Sequence, residues 1–127
     1  MINRPLIAII FLVISIIIGI FSLVFIEMNC EEMIDMLDTV VEYTQKDKTN
    51  EVNKQLNKTV EKWEKIKPIL NLIVGQGETN EIRNDLNKAI FFLEYGDTTS
   101  MILYIEECKM DLNKIIVSNE PTITTIL

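Results

Sequence analysis

The stretch PLIAIIFLVISIIIGIFSLVFI, residues 5–26, decides the architecture of this 127-residue chain. It carries no charged residue. As a helix it would be roughly 33 Å long, which is enough to cross a bilayer. Cleavable signal peptides have shorter apolar cores of about 7–15 residues, and no A-x-A-like site follows this stretch. We therefore predict an uncleaved anchor at 5–26 and a separate domain at 27–127.

The charges on either side of the anchor predict its orientation. Arg4 precedes the anchor, whereas a run of acidic residues begins at Glu27. Because positive residues stay on the cytoplasmic side, residues 1–4 should be cytoplasmic and residues 27–127 should lie outside the cell membrane. The outer domain holds all 19 acidic residues and 11 of the 12 basic ones, a net charge of −8. This balance argues against nucleic acid and anionic lipid headgroups as partners.

Apolar residues recur at spacings of three and four through the outer domain, which is typical of amphipathic helices. We predict an all-α fold, in which the single-pass N-terminal helix continues into a small antiparallel bundle of about four helices. Trp63 is the largest side chain on these stripes and the expected anchor of the core. The stripes are Cys30, Ile34, Leu37, Val41 and Thr44, with Met33, Met36 and Val40 beside them; Val52, Leu56, Thr59, Trp63, Ile66 and Leu70; Ile82, Leu86, Ala89 and Leu93; and Met101, Ile105, Cys108, Leu112 and Ile115.

Breaker and turn residues predict where the helices end. The first helix should run out of the anchor to about Lys46, where a polar turn follows. Pro68 should kink or end the second helix near Ile66, because proline lacks an N–H donor and crowds the preceding turn. GQGETN (75–80) predicts a loop, with the third helix beginning near its end. YGDTTS (95–100) predicts the last turn, and its glycine suits a helix C-cap.

Three similar pentapeptides occur in the outer domain: LNKTV (56–60), LNKAI (86–90) and LNKII (112–116). In each of them the leucine and the branched residue four positions later fall on the apolar stripe, whereas the asparagine and lysine point away from it. The pattern favours the same helix-building solution used three times. An old duplication and a binding motif remain as alternatives.

The residues that usually carry chemistry are few. The chain has no histidine, so a His-based triad or metal site is excluded, and we expect neither a cofactor nor enzymatic activity. Four acidic residues form a line at spacings of 4, 3 and 4, namely Glu31, Asp35, Asp38 and Glu42. A cation such as Ca²⁺ could bridge two of them, but ligands on one straight helix rarely enclose an ion, so a solvated face is favoured. Cys30 and Cys108 sit at different heights on apolar stripes, which favours buried thiols over a disulfide.

Two sets of residues are candidates for contacting a partner. Ser15, Gly19 and Ser22 lie on one side of the anchor helix, and small residues let a second helix approach closely. Ile123 and Ile126 belong to an apolar tail that should return to the bilayer surface. There the tail would either cap the bundle core or touch lipid.

The order of several short motifs resembles a known family. They are VEKWE (60–64), PILNLI (68–73), ETNEI (78–82), FLEYGD (92–97) and NEPTITTIL (119–127). Together with the N-terminal anchor, they resemble the uncharacterised bacterial membrane-anchored family catalogued as domain of unknown function 4363. The resemblance implies no known reaction. It implies another membrane protein as partner, of the YetF-like multi-pass type.

The expected function is that of a membrane-anchored, non-enzymatic accessory or scaffold protein that binds another membrane protein. The alternative is an extracytoplasmic sensor or ligand-binding helical module, which would use the bundle core or the acidic face. A ligand module should contain a cavity near Trp63 or Phe92. An accessory protein should have a filled core and an exposed apolar patch. No small-molecule substrate is indicated by the sequence.

Overall fold

The computed structural model describes residues 3–119, which form four α-helices and no strands. The helices are α1 (Arg4–Gln45), α2 (Thr49–Val74), α3 (Gln76–Glu94) and α4 (Thr98–Asn119). Each helix packs against the next one, and α4 also packs against α1. Short connections between neighbouring helices make them antiparallel, so the four close into a ring around one core. The predicted all-α bundle is confirmed.

Helix α1 is one continuous helix of 42 residues with two different environments. It begins with Pro5 in the first turn, where a missing N–H costs nothing. Its side chains are mostly exposed as far as Val24, and burial in the bundle begins at Ile26. By length and composition, α1 is able to cross a membrane. We call residues 5–26 the apolar segment.

The core contains most of the predicted stripes. All the stripe positions of α2 and α4 are buried, with Ile116 added on α4. On α3 the first three are buried, and Leu93 packs at the edge. On α1 the buried set is Ile26, Cys30, Met33, Leu37 and Val40. Ile34 and Val41 are only half-buried, because the inner face of α1 is centred on Met33, Leu37 and Val40.

The junction between α2 and α3 differs from the sequence prediction. Helix α2 continues through Pro68 to Val74, and α3 begins at Gln76, so residues 75–80 are not a loop. Pro68 and the residue four before it, Glu64, are both exposed. The carbonyl that proline leaves unpaired therefore faces solvent, while buried Ile66 and Leu70 hold the helix on either side.

Gly75 alone makes this turn, and its φ of 93° is a conformation that other residues rarely adopt. Thr79, on the first turns of α3, is buried and donates hydrogen bonds to the Asn71 side chain and to the Gln76 carbonyl, the latter at 3.1 Å. The bond to Asn71 ties α3 to the end of α2, and the bond to Gln76 lies within the first turn of α3. They also explain why α3 starts earlier than its apolar stripe suggests.

The repeated pentapeptides serve helix packing in all three places. Their leucines, at 56, 86 and 112, are buried. The asparagine and lysine that follow each leucine are exposed, and the branched residue at the end is buried or half-buried. The favoured interpretation, one packing solution used three times, agrees with these positions.

Candidate functional site

Among the described residues, Asp85 in the middle of α3 is the one carboxylate that the bundle buries. Its side chain lies on the inner side of α3, between the core residues Ile82 and Ala89, and faces α4. Only 6% of the residue is exposed. Its Oδ2 atom has no hydrogen-bond partner among the described residues. Burying an ionised carboxylate without a hydrogen-bond donor destabilises the folded state, so the protonation state of Asp85 matters for stability.

Asp85 opens onto a groove between α3 and α4. The groove has a volume of about 350 Å³ and is open to solvent. We call it the acidic groove, and its lining residues are Glu81, Asn84, Asp85, Lys88, Glu107, Met110, Asp111 and Lys114. Four carboxylates and two lysines give it an excess of negative charge.

The surroundings of Asp85 favour its neutral form. The pKa of Asp85 is raised from 3.8 to about 8, mainly by burial, then by the hydrogen bond and charge of Asp111, with a smaller contribution from Glu107. Lys88 opposes this shift only weakly. Its ammonium lies over the ring of Tyr104, 5.1 Å from the centroid, instead of pairing with Asp85. Asp85 therefore carries a proton near neutral pH and donates it to Asp111.

The same environment acts on Cys108 of α4. Burial, followed by the charges of Asp85 and Asp111, raises the pKa of this thiol far above its usual range. Cys30 of α1 is also buried, and desolvation raises its pKa to about 11. Both cysteines are free thiols, as the sequence predicted. Neither is a nucleophile at physiological pH, because only the thiolate reacts readily.

The predicted acidic line on α1 is an exposed face with lysine partners. Asp38 pairs with Lys109 of α4, and Glu42 pairs with Lys46 at 2.8 Å. The hydrogen bond from Lys46 lowers the pKa of Glu42. Among the described residues, no group of three or more potential ligand side chains could hold a metal ion. This face thus contributes ion pairs to the bundle surface.

The predicted contact residues of the apolar segment lie on its surface. Ser15 and Gly19 are exposed and Ser22 is half-exposed. The two serine hydroxyls donate to the carbonyls of Phe11 and Ile18, four residues earlier, each at 2.8 Å. The serine hydroxyl donors are therefore satisfied within the helix. The face that the serines form with Gly19 carries only short side chains. The other predicted contact residues, Ile123 and Ile126, lie outside the described residues.

Trp63 lies inside the bundle with 1% of its surface exposed. Its indole Nε1 has no hydrogen-bond partner among the described residues. The acidic groove is lined by α3 and α4 residues, so it does not border the space around Trp63. Phe92, the other residue expected beside a cavity, stacks on Tyr104 with 5.5 Å between ring centroids.

Reasoning from the sequence missed Asp85, although a signal was present. Asp85 is three residues after Ile82 and four before Ala89, which places a carboxylate on the buried stripe of α3. An acidic residue at such a position is rarely buried unless it is paired or protonated. Its partner Asp111 could not be named from the sequence, because the register of α3 against α4 is a tertiary feature.

The fold and site define a four-helix protein whose first helix is long and apolar enough to span a membrane, with an acidic groove on the bundle. The model of one family, described as Domain of unknown function (DUF4363), matches residues 20–126. The chain belongs to this family, as its motifs had indicated. No curated protein and no solved structure matches the chain.

Proposed function

We propose that this protein is a membrane-anchored, non-enzymatic accessory or scaffold protein that binds another membrane protein. The continuity of α1 supports this most directly, because one helix carries both the apolar segment and a quarter of the bundle. In this proposal the lipid bilayer surrounds the apolar segment and the amino terminus is cytoplasmic. Residues 27–127 then stand outside the cell membrane as a rigid extension of the anchor.

Two surfaces are candidates for holding the partner. The first is the line of small residues on the apolar segment, Ser15, Gly19 and Ser22, which allows close approach of another helix. A Cβ added at Gly19 would meet nothing within 4 Å, so this glycine serves no packing inside the chain.

The second surface is a line of exposed apolar residues along α4, Leu103, Met110 and Val117. They are seven residues apart and so share one face of the helix. Met110, in the middle, is 70% exposed. We call this surface the α4 line. It is the kind of exposed apolar surface expected of an accessory protein whose core is filled.

The experiment compares chemical crosslinking and co-purification of tagged variants from native membranes, with a YetF-like multi-pass protein as the expected partner. Gly19→Leu adds bulk on the small-residue line and keeps the segment apolar, so it should stay anchored and lose the partner. Ile17→Phe is the matched control, since Ile17 is exposed on the opposite side of the same helix. It should retain the partner.

Two further variants locate the contact if Gly19→Leu retains the partner. Loss of the partner on replacing Ile123 and Ile126 with Ser would place the contact at the membrane surface. Loss on replacing Leu103 and Met110 with Ser would place it on the α4 line. Retention by all the variants would refute an accessory role that depends on these surfaces.

A sensor or ligand-binding module is the second candidate, and the acidic groove is the observation that favours it. The cavity that the sequence predicts for such a module, beside Trp63 or Phe92, is not this groove, which lies between α3 and α4. Its volume of about 350 Å³ is within the usual range for small-molecule sites.

A further inference from the structure

The acidic groove has a feature that packing alone does not explain. A cluster of carboxylates on a surface is ordinary, but here one of them, Asp85, is 6% exposed and its Oδ2 lacks a donor. The two lysines that line the groove form no ion pair with it in the part of the chain that the structure describes. The bundle thus keeps a carboxyl pair, Asp85 and Asp111, that has no ion-pair partner among the described residues.

We propose that the acidic groove binds a small organic cation, and that Asp85 and Asp111 accept hydrogen bonds from its ammonium group. An ammonium presents several donors, and a carboxylate pair presents several acceptor lone pairs. Hydrogen bonds between charged groups are among the strongest that proteins form. The cation would take the place of the proton that Asp85 and Asp111 hold between them in the free groove.

The groove suits an organic ammonium better than a metal ion. Ca²⁺ takes six to eight oxygen ligands, whereas no group of three or more potential ligand side chains among the described residues could hold a metal ion. Met110 lines the same groove and offers an apolar contact to an alkyl chain. A linear diamine combines the two features, since it carries an ammonium at each end and methylene groups between them.

Binding must displace a proton. The free site holds one proton between Asp85 and Asp111, and the occupied site holds the ammonium there instead. One proton is therefore released to the buffer for each cation bound, and no covalent bond changes. Affinity should rise by up to about tenfold per pH unit as the pH increases from about 6 towards 8, where the carboxyl ionises without the ligand.

The groups that face Asp85 belong to the two helices that form the groove. They are Glu81 and Lys88 on α3, and Glu107, Cys108, Asp111 and Lys114 on α4. Cys108 stays a thiol through this pH range, since its pKa is raised. The proton released on binding therefore comes from the Asp85–Asp111 pair.

The test is calorimetric titration of putrescine into the full-length protein in a non-ionic detergent at physiological ionic strength. Measurements in two buffers with different protonation enthalpies give the number of protons released, and the expected number is one. Asp85→Asn and Asp111→Asn should each weaken binding by at least about tenfold, because each removes a charged acceptor. Asp35→Asn makes the same chemical change on the exposed face of α1 and should leave binding unchanged.

Three results would overturn the proposal. Absence of putrescine binding at pH 8 is the first. Equal weakening in Asp85→Asn and Asp35→Asn is the second, since it would reveal a diffuse attraction to the acidic chain. Binding of Ca²⁺ in place of putrescine, with the same dependence on Asp85, is the third, and it would make the groove a metal site. The outcome does not depend on whether the protein has a membrane partner.

Discussion

Replacing Asp85 with Asn should make the bundle more stable at neutral and alkaline pH. The amide has nearly the same shape as the carboxyl group, and its NH₂ can donate to Asp111 as the protonated acid does. The substitution removes a carboxyl group that is ionised in the unfolded chain and has to take up a proton when folding buries it. An isosteric change at a buried position rarely stabilises a protein, so the prediction is distinctive.

The sign and size of the effect follow from the pKa of Asp85. It is 3.8 in the unfolded chain and about 8 in the folded protein, so the folded state binds the proton more tightly. The free energy of unfolding therefore falls as the pH rises from about 4 to about 8. The full shift corresponds to about 5–6 kcal/mol, at 1.36 kcal/mol per pKa unit. Because the groove is open to solvent and screens the charge, we expect about 2–3 kcal/mol.

The assay is urea unfolding followed by helical circular dichroism, on the full-length protein in a non-ionic detergent, at a series of pH values. The difference in unfolding free energy between Asp85→Asn and the natural protein should be near zero at about pH 4 and reach its plateau above about pH 8. Asp35→Asn is the control, because Asp35 is exposed and makes no ion pair among the described residues. A difference that is independent of pH, or a variant that is less stable at pH 9, would mean that Asp85 is ionised and satisfied in the folded state.

Three further predictions concern the core, the helix junction and the orientation. Trp63→Ala should lower the free energy of unfolding by about 3–5 kcal/mol. Trp63→Phe should lower it by clearly less, since phenylalanine fills most of the space and removes the unpaired indole donor. Equal losses for the two variants in urea melts would contradict this. Thr79→Val should cost about 1–2 kcal/mol in the same melts, because it leaves the Asn71 side chain without its donor, and no loss would mean that this bond does not stabilise the junction. Asn50 is exposed beside the α1–α2 turn. With Cys30 and Cys108 replaced by Ala, the variant Asn50→Cys should react with a membrane-impermeant maleimide on intact cells. Reaction only after lysis would reverse the proposed orientation.

Periodicity predicted the fold well where the buried face of a helix coincides with its predicted stripe. On α2 the six predicted positions, from Val52 to Leu70, are the six buried ones, because one narrow face meets the core. On α1 the prediction was less accurate, since its buried face is centred on Met33, Leu37 and Val40 and leaves Ile34 and Val41 only half-buried. How a helix is rotated between two neighbours depends on their packing and is not encoded by its own spacing.

Local breaker rules failed at the α2–α3 junction. Pro68 and the glycines at 75 and 77 predicted a long interruption, yet one residue makes the whole turn. Proline ends a helix when the carbonyl it leaves unpaired has no alternative, and here that carbonyl faces solvent while the opposite face is held in the core. The buried bonds of Thr79 complete the junction, and they are visible only once α2 and α3 are in place.

The acidic groove could be predicted only in part. The position of Asp85 on a buried stripe is readable from the spacing of α3, but the groove needs Glu107 and Asp111 at the matching height of α4. That height is set by the tight turn at Gly96, whose φ is 76°, and by Asp97, which accepts hydrogen bonds from the backbone N–H and the hydroxyl of Ser100 at the start of α4. Small differences in such a turn would move α4 by a residue and separate the carboxyl pair.

Because α1 is unbroken, the bundle and the apolar segment are rigidly joined and move together. From Ile26 to Gln45 the helix rises roughly 30 Å, so a tilt of about 20° in the lower part moves the α1–α2 turn sideways by about 10 Å. A rotation of the segment about its own axis turns the bundle by the same angle, because no glycine or proline between residues 20 and 45 can absorb the twist. Lys62 and Lys109, paired with Glu32 and Asp38 of α1, transmit that motion to α2 and α4. A partner that tilts or rotates one end of α1 therefore also displaces the other end.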